Sequence, residues 1–311
     1  MLFVSNYHYI RNNFESKYPS IFGLTPGMFK RQLLKLKEIG TFVHPNDLIA
    51  ADASVFESKQ KYFLITFDDG LKEQYELALP ILKQLKIPAI FFVNSLNFIE
   101  KKVSLVHKIH LLRSVVSPDY ILENLQNLEL TLSEKDKAIL HYNYDTEQNA
   151  LLKYMLNFKL SYDEQISFIN TLFPNFFDEK KVVDDLYMNE QQLKVVAESG
   201  WLGSHTHSHL SLGDQTPEII KKELRITKQY LENLTNKEIS FVSYPYGNDD
   251  ACKEPVPKLA EEAGYKVGFT MERGANTSKE QMLTLKRFDC NDLPTGKNEE
   301  AFKNEYSIIN K

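Results

Sequence analysis

The stretch Phe63-Leu64-Ile65-Thr66-Phe67-Asp68-Asp69-Gly70 decides the fold of this chain. Its apolar and β-branched residues are typical of a buried strand, and the Asp-Asp-Gly that follows predicts a tight turn at the end of that strand. Two adjacent carboxylates repel each other and are costly to bury unless a cation lies beside them, so the pair indicates a metal ion. A plain Asp-Gly turn, with Asp68 capping the next helix, is the alternative.

A second polar cluster is Gly203-Ser204-His205-Thr206-His207-Ser208-His209, directly after the apolar Trp201-Leu202. It contains three of the eight histidines of the chain. Imidazole is the commonest metal ligand, and residues four apart can face the same side of a helical turn. We therefore predict that His205 and His209 share one ion and that His207 points elsewhere. A solvated loop that binds metal only adventitiously is the alternative.

A third segment, Phe241-Val242-Ser243-Tyr244-Pro245-Tyr246-Gly247, again runs from strand into turn. Thr66-Phe67-Asp68-Asp69-Gly70, His205-Thr206-x-x-His209 and Tyr244-Pro245-Tyr246-Gly247 resemble, in this order, the first three motifs of the polysaccharide deacetylases, carbohydrate esterase family four. The resemblance covers about residues 1–97 and 186–290.

The resemblance implies a metal centre and a general base. Asp69, His205 and His209 would bind one divalent ion, with zinc as the first choice and cobalt or nickel as ions that fit the same ligands. Asp68 would be the general base that takes a proton from the attacking water. The backbone N–H of Tyr246 would donate a hydrogen bond to the oxyanion.

Two positions depart from the pattern of the family. Family members commonly have an arginine two residues before the motif-three proline, where this chain has Ser243. The late Leu-x-His element that supplies a general acid is missing, since no histidine follows His209. We hypothesise that His8 serves as the acid or as a sugar contact, and that Arg287 supplies the missing positive charge beside Asp68. A packed histidine and a surface arginine are the respective alternatives.

The rest of the chain alternates between strand-like and helix-like segments. Thr25-Pro26 and Thr216-Pro217 mark helix starts. The predicted strands are Leu2–Tyr9, the strand that ends at Asp68, Ile87–Val93, Trp201–His205, Ile239–Tyr244, Tyr265–Met271 and Leu283–Asp289. This alternation predicts an α/β fold with a parallel sheet. Seven strands match the distorted seven-stranded (β/α) barrel that the resemblance implies, with the site at the carboxyl ends of the strands.

The alternation stops after residue 97 and returns near Trp201. From Phe98 to Met188 the sequence is helical in character, and Ser133-x-x-Asp136 and Ser161-x-x-Glu164 predict helix starts. We expect a helical insertion that forms a lid or a partner-binding lobe, or that merely decorates the barrel. The predicted domains are a barrel of residues 1–97 and 186–311 and an insertion of residues 98–185.

Composition limits the partners. The chain has 311 residues, 42% hydrophobic and 25% charged, with a formal net charge of −5. Without a Lys/Arg block, nucleic acid is not an expected partner. Cys252 and Cys290 fit a reducing compartment, with a single bridge between them as the alternative.

The sequence shows neither a basic leader nor a stretch of about 18 apolar residues. We therefore expect a cytoplasmic protein without an integral membrane segment, although a chain trimmed of its leader would look the same. Peripheral contact with a membrane through the insertion is an alternative.

The resemblance implies a metal-dependent hydrolase that removes N-acetyl groups from an N-acetylated sugar or oligosaccharide, as part of a polysaccharide or of its precursor. One alternative keeps the chemistry and changes the acyl group, as in a deformylase or deacylase of a lipid-linked or soluble amino sugar. A second alternative, from another class, is a glycan-binding protein without turnover. Retention of Asp68 argues against that class, because a binder has no need for a base.

Overall fold

The computed structural model of this protein describes residues 1–50, 54–57, 60–125 and 130–308. The chain divides into two units. Unit 1 consists of Met1–Asn13, Gly23–Lys102 and Val183–Lys311. Unit 2 consists of Phe14–Phe22 and Val103–Val182.

Unit 1 is built on a parallel sheet of short apolar strands. The strands are β1 (Leu2–Tyr7), β2 (Thr41–Phe42), β3 (Tyr62–Phe67), β4 (Ala89–Val93), β5 (Leu202–Ser204), β6 (Phe241–Ser243), β7 (Val267–Phe269) and β8 (Phe288–Asp289). The main path through the sheet is β7-β6-β5-β4-β3-β1-β8, and β2 pairs with β3 beside this path. All of these pairings are parallel.

The seven strands of the main path form a curled half-barrel surrounded by helices, so the predicted α/β fold with a distorted seven-stranded (β/α) barrel is confirmed. Each predicted strand is present, although most are shorter than expected. The two-residue strand β2 was not predicted. Between β7 and β8, a single parallel bridge joins Phe269 to Leu285.

Helices follow the strands, as the sequence alternation predicts. In chain order the α-helices are α1 (Pro26–Ile39), α2 (Pro45–Ile49), α3 (Ser54–Glu57), α4 (Leu79–Leu85), α5 (Leu96–Ile99), α6 (Leu105–Val115), α7 (Pro118–Asn124), α8 (Leu132–His141), α9 (Glu147–Tyr154), α10 (Tyr162–Leu172), α11 (Glu179–Leu186), α12 (Glu190–Glu198), α13 (Pro217–Thr235), α14 (Asp249–Cys252), α15 (Val256–Glu262) and α16 (Glu299–Ile308). Among the described residues, two π-helical segments, Gln74–Ala78 and Met155–Lys159, and a 3₁₀ turn, Phe173–Asn175, complete the list.

The predicted caps at the two Thr-Pro pairs are confirmed. The Thr25 side chain accepts a hydrogen bond from the backbone N–H of Met28, and Thr216 does the same for Ile219. Each cap satisfies one of the N–H groups that the first turn of a helix leaves without an intrahelical partner.

Unit 2 is helical and contains α6 to α10, with no strand among its described residues. The predicted capping box of Ser161 with Glu164 is present at the start of α10. The start predicted at Ser133 is wrong by two residues. Thr131 caps α8 instead, because it forms a reciprocal box with Glu134.

The core of unit 1 lies between the sheet and its helices and is rich in aromatic side chains. Phe67 on β3 stacks on Phe91 on β4 with ring centroids 4.8 Å apart, and Tyr7 on β1 packs edge-on against Phe29 of α1. These rings are all buried. Burial of such large apolar surfaces is the main stabilising term for a sheet of this kind.

Two further observations concern the cysteines and the length and polarity of the helices. Cys252 and Cys290 are free buried thiols. Within the described ranges, none of the helices is long and apolar enough to cross a membrane.

Candidate active site

The first candidate residues lie where β3 ends. The backbone N–H of Asp68 still donates to the carbonyl of Tyr7, which continues the pairing with β1 by one residue. The chain then turns sharply, since Asp69 has φ 77° and Gly70 has φ 64°. A Cβ on Gly70 would lie 2.6 Å from Val93 Cγ1, so this turn has no room for a side chain.

The histidine loop, residues 205–209, follows β5 directly. The backbone N–H of His205 donates to the carbonyl of Val93 on β4. Thr206 and His209 adopt left-handed conformations, with φ 62° and φ 60°. The expectation that His205 and His209 face one side of a helical turn is therefore wrong, because the segment is an irregular loop whose two left-handed residues bring the rings together.

Asp69, His205 and His209 form a buried cluster at the carboxyl edge of the sheet. Asp69 Oδ1 lies 3.5 Å from His205 Nε2 and 3.4 Å from His209 Nε2. One ligand atom from each of the three residues lies within 4.8 Å of the others. A carboxylate and two imidazoles at these separations are a donor set that suits zinc and similar ions.

The state of His205 fits a metal ligand. Its Nδ1 lies 2.7 Å from the carbonyl oxygen of Ser243, which can only accept, so Nδ1 carries the hydrogen and Nε2 presents a lone pair toward Asp69. Burial lowers the pKa of His205 to about 4, against the opposing effect of Asp68 and Asp69. The ring is therefore neutral at neutral pH, as coordination requires.

Asp68 is held beside this cluster by Arg287 and Asn6. Arg287 Nη1 and Nη2 donate to the two carboxylate oxygens at 2.9 Å each, and Asn6 Nδ2 donates to Oδ2 at 3.0 Å. Burial raises the pKa of Asp68, but the charge and the hydrogen bonds of Arg287 outweigh burial, and the pKa falls to about 2. Asp68 is therefore an ionised carboxylate.

Arg287 lies just before β8 and is fully buried. Besides Asp68, it donates to the carbonyl of Thr270 and to the hydroxyl of Ser243, at 2.8 and 2.9 Å. The structure thus brings together the arginine that we suggested and the serine that replaces the arginine of the family. It does not place Arg287 on the surface.

His8 and Tyr246 lie nearby and are partly exposed. His8 Nε2 is 4.0 Å from Asp68 Oδ2, and its side chain is 37% exposed. Tyr246 is 51% exposed and has φ 62°, and its ring meets that of His209 edge-on at 5.3 Å. His207, in contrast, points away from the cluster and hydrogen-bonds to Ser95 and Glu100.

Sequence reasoning missed Asn6. This residue lies on β1, opposite Thr66 in the register with β3, and is fully buried. A buried amide needs hydrogen-bond partners, so a lone Asn in the apolar run Leu2–Tyr7 was the available signal.

The half-barrel and this cluster define an α/β-barrel protein with a candidate metal centre at the carboxyl ends of its strands. The family model for polysaccharide deacetylase matches residues 57–117 and 172–268, which together make up half of the chain. The chain belongs to the polysaccharide deacetylase family.

Several known proteins are similar to this chain. YxkH of Bacillus subtilis (strain 168), which carries the name of a polysaccharide deacetylase, is 32% identical over 113 residues, spanning 36% of this chain and 39% of that relative. The fold is similar to that of the Streptococcus pyogenes deacetylase PplD in complex with acetate, at a TM-score of 0.55 and 18% identity over 98% of this chain and 96% of that one. The fold is also similar to that of IcaB from Ammonifex degensii, at a TM-score of 0.56 and 17% identity over 97% of this chain and 94% of that one.

Proposed function

We propose that this chain is a metal-dependent hydrolase that removes N-acetyl groups from an N-acetylated sugar of a polysaccharide or of its precursor. The observation that carries the proposal is the buried cluster of Asp69, His205 and His209 beside the ionised Asp68. Membership in the polysaccharide deacetylase family supports the substrate class. Zinc is the proposed ion, since its preferred ligands are those of the cluster.

A divalent ion held by Asp69, His205 and His209 would act as a Lewis acid toward water and toward the amide carbonyl. The proposed task of Asp68 is to accept the proton of the attacking water. The hydrogen bonds that it accepts from the described residues use three of the roughly four acceptor positions of a carboxylate, which leaves one position on Oδ1. Arg287 keeps this carboxylate charged and fixes its orientation.

The proposed roles of His8 and Tyr246 complete the site. His8, near Asp68 and partly open to solvent, would donate a proton to the leaving amine or contact the sugar. The backbone N–H of Tyr246 would donate to the oxyanion. Its left-handed conformation supports a constrained role, because a tyrosine rarely adopts a positive φ without support from its surroundings.

The test measures zinc content and acetate release on the same samples. Wild type should bind about one zinc and release acetate from N-acetylated oligosaccharides. Asp69→Ala should lose both. Asp68→Asn should keep the metal and lose activity by about 10²–10⁴-fold, the usual contribution of a general base, and His8→Ala should also keep the metal and slow turnover. Asp163→Asn, an exposed position in the first turn of α10, is the matched control and should change neither quantity.

Other results would contradict the proposal in distinct ways. Zinc-bound wild type that releases formate but no acetate would identify a deformylase. Sugar binding without any acyl release, unchanged in Asp68→Asn, would identify a glycan-binding protein. A wild-type protein that binds no zinc after reconstitution would contradict the proposed metal centre.

A further inference from the structure

The middle histidine of the histidine loop is buried but lies outside the metal cluster. His207 is 8% exposed, and both of its ring nitrogens have partners. Nδ1 lies 2.8 Å from the hydroxyl of Ser95, and Nε2 lies 3.2 Å from Glu100 Oε1. Ser95 in turn lies 2.7 Å from the hydroxyl of Thr227 on α13, and both hydroxyl residues are fully buried.

The chemistry of the groups fixes the direction of these hydrogen bonds. A carboxylate only accepts, so Nε2 of His207 donates to Glu100. In the neutral ring Nδ1 must then accept, and Ser95 donates to it. Ser95 has a single hydrogen, so its oxygen accepts from the hydroxyl of Thr227. The result is a directed chain, Thr227 to Ser95 to His207 to Glu100, in which each donor meets an acceptor.

Backbone contacts join this chain to the loop itself. Asn94 Nδ2 donates to the carbonyls of His205 and Thr206, and the backbone N–H of Leu96 donates to the carbonyl of His207. The segment after β4 therefore holds the first half of the loop. The loop needs such support, because Thr206 is a β-branched residue with φ 62° and would leave that conformation if it were free to do so.

We propose that His207 is a positioning residue for the metal centre. Through Ser95 it holds the loop in the conformation that points the Nε2 atoms of His205 and His209 at Asp69, and it thereby sets the affinity for the ion. The inference rests on the proposed function, because it presupposes that the cluster binds metal.

The experiment titrates the metal-free, full-length chain with Zn²⁺ by calorimetry and measures the melting temperature of the metal-free form. His207→Ala and Ser95→Ala should weaken zinc binding by about tenfold to a hundredfold, as the loss of residues that orient metal ligands usually does. His207→Asn should recover much of the affinity, because its amide oxygen can accept from Ser95 as Nδ1 does.

Thr227→Val is the matched control for destabilisation alone. Valine has the same shape as threonine, and Thr227 is as fully buried as Ser95. The substitution leaves the hydrogen bond from Ser95 to His207 in place. It should lower the melting temperature without changing zinc affinity. A purely structural role for His207 predicts the same result for His207→Ala, and that result would overturn the inference.

Two further outcomes are decisive. Equal zinc affinity in His207→Asn and His207→Ala would also overturn the inference, because the Ser95 bond would then not be the anchor. Wild type that binds no Zn²⁺ would instead overturn the proposed function, so the two failures are distinguishable.

Discussion

Asp68 is buried and yet ionised, which ties its charge to the stability of the fold. Burial alone would raise its pKa, but Arg287 favours the charged form, and the pKa is about 2. An unfolded aspartate has a pKa of about 3.9, so the difference contributes about 2.6 kcal/mol of stability above pH ~4. That contribution is lost as the pH falls from about 4 through 2.

Arg287→Ala should therefore affect both stability and catalysis. Removing one partner of a buried ion pair leaves an uncompensated charge and typically costs about 3–5 kcal/mol. Without the guanidinium the pKa of Asp68 rises, so the acidic limb of the kcat/KM profile should move to higher pH. Urea unfolding and pH-rate profiles measure the two effects.

The matched control for this prediction is Arg31→Ala, an exposed arginine on α1. It should leave both the free energy of unfolding and the pH profile unchanged. An Arg287→Ala enzyme with the acidic limb of wild type would show that Arg287 does not set the ionisation of Asp68.

At the scale of elements, the sequence predicted what depends on local pattern. The strand before Asp68, the Thr-Pro helix starts and the capping box at Ser161 all follow from residues that are neighbours in sequence, and the structure contains them. The predicted conformation of the histidine loop was wrong, because no local rule predicts a left-handed Thr206. That conformation depends on the contacts of Asn94, which lies more than a hundred residues away.

The site shows the same division between local and distant information. Asp69, His205 and His209 were grouped by resemblance to family motifs. Arg287 and Asp68 are 219 positions apart in the sequence. Their contact could be predicted only as a hypothesis, because Ser243 stands where a positively charged arginine was expected. Asn6 was missed, because its partner becomes apparent only once the register of β1 with β3 is known.

The turn after β3 gives a prediction at this scale. Gly70→Ala should destabilise the fold by about 2–4 kcal/mol, because it combines a positive φ with overpacking against Val93. It should also weaken zinc binding, since the turn positions Asp69. Chemical denaturation and zinc titration measure both quantities.

Gly27→Ala is its counterpart, since a Cβ at Gly27 would meet nothing within 4 Å. In the first turn of α1 this change should be neutral or stabilising by up to about 1 kcal/mol. If Gly70→Ala were as mild as Gly27→Ala, the turn would be far less constrained than its geometry indicates.

At the scale of the molecule, every residue of the candidate site lies in unit 1, although the segments that supply them are far apart in sequence. Unit 2 has buried apolar residues of its own, including Leu112, Leu152 and Phe173. We therefore propose that the chain divides into a barrel of residues 1–97 and 186–311 and an insertion of residues 98–185. The response of each part to metal tests this division.

A ligand that binds only the folded site stabilises it by RT ln(1 + [L]/Kd), about 2.7 kcal/mol at a hundred times Kd. Hydrogen exchange should then slow by about a hundredfold for openings that break the site. With Zn²⁺ we expect this slowing in peptides that cover residues 68–70 and 203–209, and no change in α8 and α9 of unit 2. Exchange measured by mass spectrometry on the intact chain tests this, and Asp69→Ala should abolish the effect. Equal slowing in α8 and α9 would mean that the two units open together and would contradict the proposed division.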